Sequence, residues 1–154
     1  MRYGIQSLLA LVCLTAMGTV SADEKVVVIV NAANSQKLTA ADLKNMYSDI
    51  VTHWADNEPI DLFDTPVSME AREAFSHKIL GISAGEAASA WANRKITNTA
   101  KNPPITTKED LIPKFVAKDP NAIGYVRKSV AEGKEGIKIR QWTKAPWAAR
   151  SGRG

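Results

Sequence analysis

Cysteine occurs once in the 154-residue chain, at Cys13, and histidine twice, at His53 and His77. Cys13 lies in an apolar amino-terminal stretch that reads as removable. The mature chain therefore has no disulfide, no thiol chemistry and no cysteine metal site. The two histidines are far apart, with no acidic residues at ligand spacing. They read as surface or half-buried side chains and not as a metal centre. Aromatic residues make up only 6% of the chain, and no basic-aromatic platform for stacking bases is present, which speaks against nucleic acid. There is no glycine-rich phosphate loop, no Ser/His/Asp set in an interpretable context and no framed carboxylate pair, so catalysis is disfavoured. The composition excludes collagen-like, disordered and disulfide-scaffold classes.

The chain does have a hydrophobic fraction of 45% and a length that suits one domain. Residues 1–22 read as a cleaved export signal. Arg2 supplies the positive start, Leu8 to Leu14 the apolar core, and Val20-Ser21-Ala22 the small residues ahead of the polar Asp23-Glu24-Lys25. Thr15, Gly18, Thr19 and Ser21 interrupt the stretch before it reaches the ~20 residues of a membrane span. Residues 127–154 hold eight Lys/Arg against Glu132 and Glu135. Their dispersion reads as a solvated basic surface, and 141–154 as a flexible tail.

Strand and helix signals alternate between these ends. The β-branched run Lys25 to Val30 suits a strand buried on both faces, the usual mark of a parallel sheet covered by helices. Thr39, with Asp42 three residues on, predicts a capped helix whose apolar face is Leu43, Met46 and Tyr47. Ile60–Phe63 reads as a second strand, and a helix running to Leu80 comes after it. That helix has Phe75, Ile79 and Leu80 on one face and Glu70, Arg72, Glu73 and Lys78 on the other, with Gly81 as its stop. Ser83 opens a helix rich in alanine that carries Trp91. Thr107 is expected to cap another, with Leu111, Ile112, Phe115 and Val116 as its stripe and Pro113 awkwardly in its middle. Ala122–Val126 and Gly136–Arg140 read as strands, and Trp54, Trp91, Trp142 and Trp147 as packing residues. The alternation points to an α/β layered sheet.

The strand-to-helix junction Phe63–Arg72 carries the most chemical information. A helix start presents unpaired N–H groups and attracts anions. Thr65 and Ser68 add hydroxyls there, and Arg72 adds a guanidinium able to grip an oxyanion with two prongs. A purely structural reading stands beside this one, with Thr65 or Ser68 as an N-cap and Pro66 as the first helical residue. Asp64 repels an anion here unless it turns away or accepts N–H bonds.

Several segments recur in one familiar order: Asn31–Asn34 after the first strand, Leu38-Thr39-x-x-Asp42-Leu43, Met46-Tyr47, Thr52-His53-Trp54, Ser68-x-x-x-Arg72-x-x-Phe75, Leu80-Gly81, Trp91, Pro103-Pro104 and Ala122-Ile123-Gly124-Tyr125-Val126. Together they resemble the phosphate-type substrate-binding proteins of ABC transporters, in particular their compact single-domain relatives. The resemblance implies a single periplasmic-binding-protein-like (type II) α/β domain over 23–140, with a mixed, mostly parallel sheet covered by helices, located in the periplasm. It implies a non-enzymatic binder of phosphate or a related oxyanion that needs no cofactor or metal and serves an inner-membrane ABC permease. A homodimer would supply a second wall around the ligand. The site it implies comprises Thr65, Ser68, Met69, Arg72 and Tyr125. The sequence departs from the family's glycine-serine loop, having Phe63-Asp64 before Thr65-Pro66-Val67. It also has Tyr47-Ser48-Asp49-Ile50 where a glycine and a lysine are usual. The alternative reading is a single-lobe interaction or sensory module of the same fold that has lost its anion.

Overall fold

The first strand of the chain lies near the middle of the sheet. A computed structural model describes residues 25–140; the expected signal segment and the basic tail, with Trp142 and Trp147, lie outside the described residues. Strand β1 (Val26–Asn31) is flanked by β4 (Ala122–Arg127) and β5 (Ile137–Arg140). Beyond β4 come β2 (Asp61–Asp64) and then β3 (Ile105–Thr106) at the far edge. The order is β3-β2-β4-β1-β5. Both β3 and β4 run parallel to β2, whereas β1 is antiparallel to both of its neighbours, in register Val26 with Arg127 and Val28 with Arg140. Four strands thus share one direction and β1 opposes them. The expectation of burial on both faces holds for all six residues of β1, but its partners are antiparallel. Coverage of both faces by helices, and not strand direction, selects the unbroken Val/Ile run.

Helix α1 (Ala40–Tyr47) begins with the expected capping box. The Thr39 hydroxyl accepts from the Asp42 N–H at 3.1 Å, and the Asp42 carboxylate accepts from the Thr39 N–H at 2.8 Å. Helix α2 (Glu70–Phe75) continues as a single π-helical turn over Ser76–Leu80 and stops at Gly81, which takes the left-handed conformation at φ 74°. Helix α3 (Ala84–Ile96) starts with a second capping box, Ser83 with Glu86. A 3₁₀ turn at Glu109–Leu111 leads into α4 (Ile112–Lys118), and α5 (Lys128–Ala131) is a single turn after β4. Sequence signals missed both β3 and α5, which are too short to show a period.

Three local expectations are corrected. Thr107 caps nothing: Lys108 stands at the N-cap of the 3₁₀ turn, and the Thr107 N–H bonds to the Asp64 carbonyl at 3.0 Å, closing β3 against β2. Pro113 falls in the first turn of α4, where a missing N–H costs nothing. Ile112 and Val116 are buried as expected, but Phe115 is 43% exposed and stacks on Phe63 at 5.4 Å.

Two hydrophobic layers sandwich the sheet. Val26, Val28 and Val30 face α1 and α2, meeting Leu43, Met46, Tyr47, Ala71, Phe75 and Ile79. The alternate residues Val27 and Ile29 face α4, meeting Phe63, Ile112 and Val116. The chain leaves β2 on the first face through α2 and α3, reaches β3, and returns to β4 over the opposite face through α4. Connections therefore diverge to opposite sides at the carboxyl end of β2, the position where open α/β sheets form their ligand crevice.

Candidate functional site

Asp64 is the last residue of β2 and stands at that divergence. Its side chain is 4% exposed and meets Arg72 Nη1 at 2.7 Å. The Tyr125 hydroxyl, from β4, donates to the same carboxylate, as does the Thr65 N–H at 2.9 Å. Arg72 Nη1 also donates to the Thr65 carbonyl at 2.7 Å, and the Thr65 and Tyr125 hydroxyls lie 3.3 Å apart. One carboxylate thus receives a guanidinium, a phenol and a backbone amide, which is how a buried charge is made tolerable.

Arg72 does not occupy the solvent face of its helix, as its polarity suggested. It is 5% exposed, and α2 turns it inward beside Ala71 and Phe75. Its Nη1 makes both of its contacts. Nε and Nη2 make no hydrogen bond among the described residues.

Behind this group the Phe75 and Tyr125 rings stack with centroids 3.9 Å apart. Tyr47 meets both edge-on and donates its hydroxyl to the Phe63 carbonyl at 2.8 Å. Burial raises the Asp64 carboxyl above its ordinary 3.8, against the downward pull of Arg72, Tyr125 and the Thr65 amide. Burial and the neighbouring Asp64 push the Tyr125 phenol well above its ordinary range, and burial does the same to Tyr47. Both tyrosines are therefore permanent hydrogen-bond donors.

In front of Asp64 and Arg72 opens a cleft with a volume of about 340 Å³. Helix α3 forms one wall with Ala88, Trp91, Ala92 and Lys95, residues spaced to share one helical face. Val67, Pro104 and Thr106 complete it. Asp49 holds the loop that carries Pro104. It adopts φ 66°, the left-handed conformation a glycine would favour, and its carboxylate accepts from the Lys101 and Asn102 N–H groups at 2.9 and 2.8 Å. The glycine expected at this turn is thus replaced by a residue that tolerates the same backbone and also clamps a distant loop. A larger groove, of about 500 Å³, lies along the other flank of α2 beside Lys25 and Arg127, but it mixes the carboxylates of Glu70 and Glu73 with its cations.

Of the expected site residues, Thr65, Arg72 and Tyr125 come together around Asp64. Ser68 is exposed and Met69 half-buried, and neither lines the cleft. Neither Thr65 nor Ser68 caps α2: the cap position is Met69, without a side-chain bond, and Pro66 precedes the helix. Asp64 was legible as a charge but not as the hub. Tyr47 was legible only as an apolar helix position, and no local pattern links it to Tyr125.

No family profile matches the sequence, and no curated protein matches it significantly. Solved structures do share its fold. An ABC-type phosphate transport receptor from Vibrio cholerae superposes with a TM-score of 0.58 at 18% identity, over 78% of this chain and 46% of the receptor. A Clostridium perfringens protein assigned as a phosphate ABC transporter substrate-binding protein, solved with phosphate bound, gives 0.58 at 20% identity, over 76% of this chain and 44% of that one. PstS from Borrelia burgdorferi gives 0.58 at 13% identity, over 79% and 47%. The chain has the fold of the phosphate-binding receptors of ABC transporters and spans less than half of their length.

Proposed function

We propose that this chain is an exported, periplasmic solute-binding protein that takes an oxyanion such as phosphate in the cleft beside Arg72 and delivers it to an inner-membrane ABC permease. One observation carries the reading: a buried arginine, fixed through one nitrogen and with its other nitrogens unbonded among the described residues, lines a cleft at the carboxyl end of β2. A pre-oriented guanidinium loses little freedom on gripping an anion, which favours binding. Lys95, exposed on the facing helix, adds a second positive charge. The fold supports this reading, as do neighbours described as phosphate receptors. Binding without chemistry also suits a site whose tyrosines stay protonated and whose carboxylate is already engaged.

The Asp64–Arg72 pair is close to neutral as a unit, so the net attraction for an anion comes chiefly from Lys95. Modest affinity and strong dependence on ionic strength are the expected result. The reading is tested by calorimetry and thermal shift with phosphate, sulfate and arsenate at low and high salt. A ligand at about a thousandfold excess over Kd should add ~4 kcal/mol of stability. Lys95→Gln, a change on an exposed side chain, should weaken binding without lowering the melting temperature of the free protein. Absence of any shift at millimolar anion, or equal binding in Lys95→Gln, would overturn the reading.

A further inference from the structure

We propose that the ligand of this cleft is an organic anion, a phosphonate or phosphate monoester with an apolar substituent, in preference to the bare inorganic ion. This rests on the reading of the cleft as an anion site and concerns which anion it takes. A free tetrahedral anion presents oxygens on every side, and each one removed from water needs a donor. The donors among the side chains lining the cleft are few: Arg72, the Lys95 ammonium, the Thr106 hydroxyl and the Trp91 indole N–H. The Asp64 carboxylate stands among them and accepts only. The remaining lining, from Val67, Ala88, Ala92 and Pro104, has no side-chain hydrogen-bonding group, so the oxygens of an inorganic ion turned toward it would find no partner on that surface.

An organic anion divides its surface as the cleft does. Its acidic head meets Arg72 and Lys95, while its carbon part covers the α3 face. The volume of about 340 Å³ falls in the range of sites for small organic ligands, which are mostly apolar with a few convergent polar groups. Alanines at 88 and 92 flank Trp91 and leave that space open. Arg94 lies over the Trp91 ring at 5.0 Å and helps to fix the indole that forms the wall.

The test is a calorimetric titration of the full-length protein with phenylphosphonate, methylphosphonate and inorganic phosphate, then the same series on Ala92→Leu and Lys95→Gln. Phenylphosphonate should bind about tenfold or more tightly than phosphate, with methylphosphonate between them. Ala92→Leu, on the exposed side of α3, should reduce the ratio of phenylphosphonate to phosphate affinity toward one, and Lys95→Gln should weaken all three ligands. Phosphate binding as tightly as phenylphosphonate would overturn this inference and leave the anion-site reading intact. A preference for phenylphosphonate that Ala92→Leu does not change would place the organic group elsewhere and also overturn it. Failure of all three to bind would sink both.

Discussion

Arg72 and Asp64 lie 2.7 Å apart in a protein interior, yet the two partners are not equivalent. Their side chains are 7% and 4% exposed, and burial pushes the carboxyl of Asp64, the more enclosed of the two, upward. Losing the cation leaves that carboxyl buried without its charged partner. Arg72→Met is expected to cost about 3–5 kcal/mol at neutral pH by urea denaturation. The double variant with Asp64→Asn should recover much of the Arg72→Met loss. The pH dependence has a definite sign. With its folded value above the ordinary 3.8, the contribution of Asp64 is fully present below that pH and is lost as pH rises through the folded value. The Arg72→Met penalty should accordingly be small in acid and grow with pH. Denaturant midpoints of both proteins between pH 3 and 7 would show this, and a penalty independent of pH would contradict it. Gly124 in β4 is constrained by space instead of charge. A Cβ there would sit 2.6 Å from Ile112 Cγ2 and 3.3 Å from Phe63 Cβ. Gly124→Ala should cost about 1–3 kcal/mol through overpacking, measurable in the same assay.

The starts of α1 and α3 were legible because their chemistry is local, whereas the expected caps at Thr65 or Ser68 and at Thr107 failed. Thr39-x-x-Asp42 and Ser83-x-x-Glu86 both form reciprocal boxes in which four neighbouring atoms satisfy one another. Ser83→Ala should cost about 0.5–2 kcal/mol by thermal or urea denaturation, because it leaves an end-of-helix amide without its acceptor. Helix α2 was legible in extent but not in orientation. Its polar pattern put Arg72 outside, whereas a carboxylate from β2 draws it in, and nothing within one helical turn reveals a partner eight residues upstream on another element. Asp49 was legible only as a missing glycine. Its role depends on Lys101 and Asn102, which lie more than fifty residues away along the chain. The aromatic stack of Phe75 on Tyr125 joins two elements by tertiary packing alone, and no spacing rule anticipates it. Expectations failed where a residue's conformation is decided by something distant in sequence.

The two hydrophobic layers share the same central strands, which makes the sheet a common wall and not a boundary between independent units. Damage to either side should then be felt by the whole. Leu43→Ala in one layer and Ile112→Ala in the other should each cost about 2–5 kcal/mol. Both should move one cooperative transition, seen identically by far-UV circular dichroism and by tryptophan fluorescence. Separate transitions for the two variants would show that the layers unfold independently. Glu109 adds a tie between the 3₁₀ turn and the end of β4, accepting from the Arg127 N–H at 2.5 Å and from its Nε at 2.9 Å.

The position of β1 also has a consequence in time. Val26 pairs with Arg127 and Val28 with Arg140, so the first of the described strands waits for the last two of them. A chain still emerging from the ribosome has no partner for either edge of β1 until residues beyond 120 have been synthesised. Loop closure over about a hundred residues must precede the reward of pairing, which favours slow folding.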